Sequence, residues 1–283
     1  MKKIVKIGVL AVLTGSVIAL LAFVNRMPQK VSCNKVSVKI DYSDERYFVT
    51  EEEILDIVEH YCDSTGENTL DEGVKLRELE MKVMSHDAVK KCEIYTKVNG
   101  SMSVEVMQRA PIGRLINSKG DSFYMDQDGR LMPVMEGRPA RVVIVNGNIR
   151  ESYSPEPYYL NNDSAAKISV LDEVFAVLGF IEKNAFWKAQ IEQIYVNENK
   201  EFILVPKVGM HEVLFGTAEN VAGKFNKLEQ FYRKGLTAQG WRNYKTVDVR
   251  YKGQVICKGP EVLIGLPADM TGNDTVNLNI TNQ

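Results

Sequence analysis

Residues 89–107 read VKKCEIYTKVNGSMSVEVM. Two strand-forming runs, Val89–Val98 and Met102–Met107, flank Asn99-Gly100, the dipeptide that best tolerates the positive φ of a tight hairpin. The segments before this hairpin give it a context. Val36, Val38 and Ile40 alternate with Ser37 and Lys39, the pattern of a half-buried strand. A polar turn follows over residues 41–46. Thr50-Glu51-Glu52-Glu53 is a capping box, in which the Thr50 hydroxyl accepts the Glu53 amide and the Glu53 carboxylate reaches back. Val49 and Ile54 are spaced as its hydrophobic staple. The helix continues through Leu55, Ile57 and Val58 to about Tyr61, and a Gly-Glu-Asn loop follows. A second helix carries Val74, Leu76, Leu79, Val83 and Met84 and ends near Ser85-His86; Leu79 and Val83 are expected in the core. Residues 35–109 therefore run strand, helix, helix, strand, strand, which predicts a three-stranded sheet with both helices on one face.

Downstream, Arg109-Ala110-Pro111 marks a boundary, because proline lacks an amide donor and stiffens the exit from a strand. Residues 110–258 have a different texture. Short strands are expected at residues 112–116, 122–125 and 130–133, then at 141–145, 191–196, 202–205 and 212–215. Helices are expected from about Ser164, with Ile168, Leu171, Phe175 and Leu178 inward, and from Ala218 to Lys234, ended by Gly235. Two last strands, 246–251 and 254–258, are joined by Lys252-Gly253. Asp126-Gln127-Asp128-Gly129 starts like a calcium loop but lacks the later acidic ligands, so a hairpin turn is expected there. Residues 147–163 read as a polar loop. The Gly-, Asn- and Asp-rich residues 259–283 read as a disordered tail.

At the other end, residues 7–24 (IGVLAVLTGSVIALLAFV) carry no charge and would span about 27 Å as a helix, close to a bilayer core. Lys2, Lys3 and Lys6 precede them. The positive-inside rule then keeps residues 1–6 in the cytoplasm and sends the rest across, with residues 25–34 as a linker. The competing reading is a cleaved signal peptide, but the apolar run is long for one and no good cleavage site follows.

The formal charge of −2 hides an asymmetry. Residues 34–109 hold 10 Lys and Arg against 17 Asp and Glu, while residues 218–258 hold 9 against 3. An exported basic surface argues for an acidic protein partner over nucleic acid, and a merely solvated surface explains the surplus at least as well. Cys33, Cys62, Cys92 and Cys257 show no metal-binding spacing. Export would permit a Cys62–Cys92 bridge; buried free thiols are the preferred reading. His60, His86 and His211 sit in no catalytic motif. Asp126, Asp128 and Asp248 are the carboxylates worth testing for catalysis, and turn or edge roles suit them better. No cofactor and no enzymatic activity are expected.

Several segments resemble one family. The strand–helix–helix–strand–strand order is similar to a POTRA module. Residues 85–94 (SHDAVKKCEI) look like the segment entering its second strand in bacterial division proteins of the FtsQ/DivIB family, with Asp87 where that family commonly has proline. Residues 105–113 (EVMQRAPIG) are similar to its domain junction, with Gln108 where an acid usually precedes the arginine. Residues 123–131 (FYMDQDGRL), 214–216 (LFG) and 247–255 (VDVRYKGQV) are similar to its hairpin and closing segments. The resemblance covers about residues 1–258.

The resemblance implies an α+β chain: a single N-terminal transmembrane helix, a POTRA domain, then a mixed β-rich domain with two helices. It implies a non-catalytic scaffold of the divisome in the bacterial inner membrane at the septum, C-terminus outside the cytoplasm. The implied partners are FtsB/FtsL-like proteins and, indirectly, the septal peptidoglycan synthase complex. If the strand at 254–258 is the last of its sheet, its unpaired edge can accept a partner strand. Asp248, Arg250, Tyr251, Gln254, Val255, Ile256 and Lys258 are therefore the expected partner-binding residues. Two other classes compete: another POTRA-bearing envelope assembly or transport component, and an anchored envelope enzyme.

Overall fold

The central hairpin forms as β3 (Val89–Thr96) and β4 (Ser101–Gln108), antiparallel, with Cys92 opposite Val106 and Ile94 opposite Val104. A computed structural model of the chain describes residues 8, 12–19, 30–42, 47–65, 69–71, 74–97, 99–153, 169–239, 244–259 and 276–279. Gly100 takes φ of 75°, and Lys97 and Ser101 close the turn by a 2.9 Å amide–carbonyl bond. The Asn99 side-chain oxygen accepts from both the amide and the hydroxyl of Ser101.

The chain divides between Gln108 and Arg109 into two units. In the first, β1 (Lys30–Asp41) lies parallel to β4, and α1 (Glu51–Thr65) and α2 (Val74–Met84) pack on the sheet. The capping box forms as the sequence predicts: the Thr50 amide donates to Glu53 Oε2 at 2.8 Å and the Glu53 amide to Thr50 Oγ1 at 3.3 Å. The staple pair Val49 and Ile54 is fully buried, as are Leu79 and Val83. Two readings change. The strand starts at Lys30, inside the expected linker, and β2 (Thr69–Asp71) pairs antiparallel with its first residues. The sheet is therefore four-stranded, in the order β2-β1-β4-β3.

In the second unit, β5 (Pro111–Ile116), β6 (Ser122–Asp126), β7 (Leu131–Pro133), β8 (Val143–Gly147), β9 (Ile191–Val196), β10 (Phe202–Pro206), β11 (Glu212–Gly216), β12 (Thr246–Asp248), β13 (Gln254–Lys258) and β14 (Val276–Asn279) form one sheet. Its order is β14-β13-β12-β11-β10-β9-β8-β5-β6-β7. Three helices supply the other side of the core: α3 (Val170–Glu182), α4 (Ala185–Gln190) and α5 (Val221–Gln239). Phe180 stacks on Phe225 at 4.7 Å between centroids, and Trp187 meets Phe225 at 4.9 Å. These rings join Leu171, Leu178, Ile194, Leu204, Phe215 and Val255 in one cluster. Gly113 lets α3 approach the sheet, since a Cβ there would collide with Leu178.

Helix α3 starts at a second capping box, Ser169 with Asp172; the expected start near Ser164 lies outside the described residues. The short α4 was not expected. Asn184 caps it by accepting from the Phe186 and Trp187 amides, and buried Trp187 anchors it. Helix α5 runs through Gly235, which was expected to end it. A glycine inside a helix costs only about 1 kcal/mol relative to alanine, so it need not be a stop.

The tail differs most. Residues 276–279, expected to be without structure, form β14 on the outer side of β13. The expectation that β13 is the last strand of its sheet is thus corrected. Residues 12–19, inside the expected membrane span, are helical. Among the described residues no helix is long and apolar enough to cross a membrane.

Candidate partner-binding edge

The terminal hairpin is built on β12, which lies parallel to β11 and antiparallel to β13. Val247, Val249, Val255 and Cys257 are its buried apolar positions, and Asp248 is buried as well. The alternation places Asp248, Arg250, Gln254 and Ile256 off the core, so core packing fixes the face on which the polar residues stand.

Residues 248–251 are held by charge. Asp248 accepts from its neighbour's backbone, the Arg250 amide, at 3.0 Å. It also takes a two-pronged bond from the Arg250 guanidinium, Nε to Oδ1 at 3.0 Å and Nη2 to Oδ2 at 2.7 Å. The other prong, Nη1, reaches Glu201 at 3.4 Å. This carboxylate company, Asp248 first, raises the Arg250 pKa. The arginine stem crosses Gly216, where a Cβ would stand 3.0 Å from Arg250 Cγ and where φ is 76°. Gly216 is thus needed twice, for its backbone and for its missing side chain.

Two lysines of α5 complete the site. Lys227 Nζ donates to the Val249 carbonyl at 2.6 Å and also to the Tyr251 carbonyl. Lys224 Nζ donates to the Thr217 carbonyl at 2.9 Å and lies 5.2 Å from the Phe215 ring centroid. Burial lowers the pKa of both, and Lys224 lowers that of Lys227 further. The result is a stiffened hairpin end with Tyr251, 47% exposed, at its tip.

The seven expected residues therefore play different parts. Asp248 and Arg250 are partners of each other. Tyr251 and Lys258 are exposed, Gln254 and Ile256 are half-buried, and Val255 is in the core. The outer edge of β13 is occupied by β14, with Gln254 opposite Asn279, Val255 opposite Leu278, Ile256 opposite Asn277 and Cys257 opposite Val276. Glu201, Gly216, Lys224 and Lys227 were missed. The positive surplus of residues 218–258 was the available signal, but it does not say where an ammonium group points.

The other singled-out carboxylates have structural partners. Asp126 is buried, bonded to Arg109 Nη1 at 2.7 Å, and its other oxygen accepts from the amides of Asp128 and Arg130. This is a hairpin turn between β6 and β7, with Gly129 at φ of 79°. Among the described residues no group of three or more His, Cys, Asp or Glu side chains could hold a metal ion. Cys92 and Cys257 are free and buried, and burial pushes each thiol up to about 12. Cys62 is disulfide-bonded. With Cys92 free, the Cys62–Cys92 bridge is excluded, and the preferred free-thiol reading fails for Cys62.

Comparison with known proteins places both units. Residues 110–258 match the family model described as FtsQ/DivIB, C-terminal related, and residues 31–107 match a POTRA-like domain. The chain is also 26% identical over 182 residues to the cell division protein FtsQ of Salinibacter ruber (strain DSM 13855 / M31), covering 62% of this chain and 67% of that one.

Proposed function

Because the chain belongs to the FtsQ/DivIB family, we propose that it is a non-catalytic, single-pass scaffold of the bacterial division machinery. Residues 7–24 anchor it in the inner membrane, and both folded units lie outside the cytoplasm at the septum. The lysines at positions 2, 3 and 6 and the uncharged run after them support this topology. The disulfide at Cys62 is at home in an oxidising compartment and supports it independently.

The scaffold binds FtsB/FtsL-like proteins through residues 248–258 and so coordinates septal peptidoglycan synthesis. The observation that carries this reading is the terminal hairpin itself: a clamped tip presenting Tyr251, beside a strand whose outer main-chain groups are covered only by the four-residue β14. A stiff, half-exposed tyrosine is the residue type enriched at binding hot spots. Main-chain pairing would supply affinity, and the exposed Lys245, Lys252 and Lys258 favour an acidic partner.

The test is a pair of proline variants, Val255→Pro and Ile256→Pro. Alternate residues of a strand point their amides to opposite sides, so one variant removes an outward donor and the other an inner one. One of the two is expected to stay folded and lose capture of the FtsB-like protein in membranes. If both fold and capture it with unchanged affinity, residues 248–258 are not the binding edge.

A further inference from the structure

We propose that the tail strand β14 is an intramolecular ligand of the β13 edge. It occupies in cis the main-chain groups with which a partner strand would pair, so that a partner binds by displacing it. The inference rests on the reading of this edge as the binding site.

Three observations carry it. The first is the register. β14 is antiparallel to β13 over four residues, with Leu278 opposite the buried Val255 and Val276 opposite the buried Cys257. Asn277 and Asn279 stand opposite the half-buried Ile256 and Gln254. The register thus sets the apolar residues of the tail, Val276 and Leu278, opposite the two core positions of the edge and its two asparagines opposite the outward ones.

The second is the length of the contact. A four-residue strand at a sheet margin offers few ladder bonds, so its own affinity for the edge is weak. The third is the tether. Sixteen residues, 260–275, join the site to its ligand. Tethering makes the pairing intramolecular, with an effective concentration set by the length of chain between the two strands. A weak strand held this way keeps the β13 edge covered and leaves a sheet margin only four residues long in its place. A division partner must then offer more than the tail does. The fitting partner is an antiparallel strand longer than four residues, with apolar side chains at the positions held by Val276 and Leu278.

The experiment uses the tail itself as probe. A fluorescein-labelled peptide of residues 271–283 (TGNDTVNLNITNQ) is titrated into three proteins in detergent: the full chain, the chain ending at Gly259, and the full chain carrying Leu278→Asp. The truncated chain and Leu278→Asp are expected to bind the peptide. The unaltered chain is expected to bind it about tenfold more weakly or worse, because the competent state is reduced to the small fraction in which the tail is off. A peptide carrying Leu278→Asp is expected not to bind. Equal affinity for all three proteins, or no binding to either altered one, overturns the proposal. So does a dimer of the full chain that truncation dissolves, since β14 would then serve a second copy. No partner enters this titration. Failure of the proline test would therefore refute the partner edge and leave the tail pairing standing, and failure here would do the reverse.

Discussion

Gln108 ties the end of β4 to the start of α1, and removing its side-chain oxygen has a calculable cost. The side chain is 3% exposed, and its Oε1 accepts from the Phe48 amide at 2.6 Å and the Val49 amide at 3.3 Å. Phe48 and Val49 are themselves buried and lie just before the capping box, where no helical carbonyl can serve their amides. Gln108→Leu keeps the approximate volume and leaves both donors buried without that acceptor. Each orphaned group costs about 1–3 kcal/mol, so the pair costs about 2–6 kcal/mol. Against a typical domain stability of about 5–15 kcal/mol, that is a large fraction.

Urea unfolding of the full chain, followed by hydrogen exchange at the Phe48 and Val49 amides, reads the effect in the N-terminal unit alone. The comparison variant is Gln108→Glu, which keeps an acceptor in place and matches the acid that the FtsQ/DivIB resemblance expects at this position. It should stay much closer to the parent than Gln108→Leu does at neutral pH. An unchanged midpoint for Gln108→Leu, or equal damage from both substitutions, refutes the reasoning.

Other outcomes follow from single sites. Arg109→Met strips the cation from the buried Asp126 carboxylate and should cost about 3–5 kcal/mol in the C-terminal unit; an unmoved urea midpoint contradicts this. Leu79→Ala should cost about 2–5 kcal/mol in the N-terminal unit, because Leu79 is fully buried, and an unshifted melting curve of that unit contradicts it. His211 is buried with Nε2 2.9 Å from the Tyr232 hydroxyl, and burial lowers its pKa from 6.5. The unfolded chain therefore binds the proton more readily. The stability of the neutral form is present in full above pH 6.5 and is lost as pH falls through the lowered folded value. Stability measured from neutral to mildly acid pH should fall less steeply in His211→Gln, and parallel profiles would sink the assignment.

Much of the fold is legible because it is local. The Thr50–Glu53 box, the Val49–Ile54 staple and the Asn99-Gly100 turn are decided by residues within five positions of one another, and each forms. What the sequence hides is decided by distant chain. Thr69–Asp71 has the composition of a turn and is a strand because the first residues of β1 offer it an edge. Residues 276–279 sit in a stretch rich in Asn, Asp and Gly and are a strand because β13 offers theirs. Short edge strands have little pattern of their own, and their pairing comes from the neighbour's unfilled hydrogen bonds. Cys62 is a similar case: no spacing rule predicts its bond, because only the folded chain brings the sulfurs together.

The terminal hairpin shows the same division between charge content and charge placement. A count of residues 218–258 gives a strong positive excess and suggests a broad attractive surface. In the folded chain four of those cations are spent internally: Lys224 on a carbonyl, Lys227 on two, Arg233 on Glu229, and Arg250 on Asp248 and Glu201. Their effect on a partner is then mostly geometric. Lys227 holds the backbone on both sides of Arg250, and Arg250 is held by two carboxylates, so Tyr251 is presented by a turn with little freedom left to lose. Binding to such a tip forfeits less conformational entropy than binding to a loose loop. Among the described residues, the exposed cations that remain are Lys252, in the turn at the hairpin tip, and Lys245 and Lys258, at its open end. Salt should therefore slow a partner's arrival at this edge more than it hastens its departure, because screening acts chiefly on the attraction between exposed charges still separated by water.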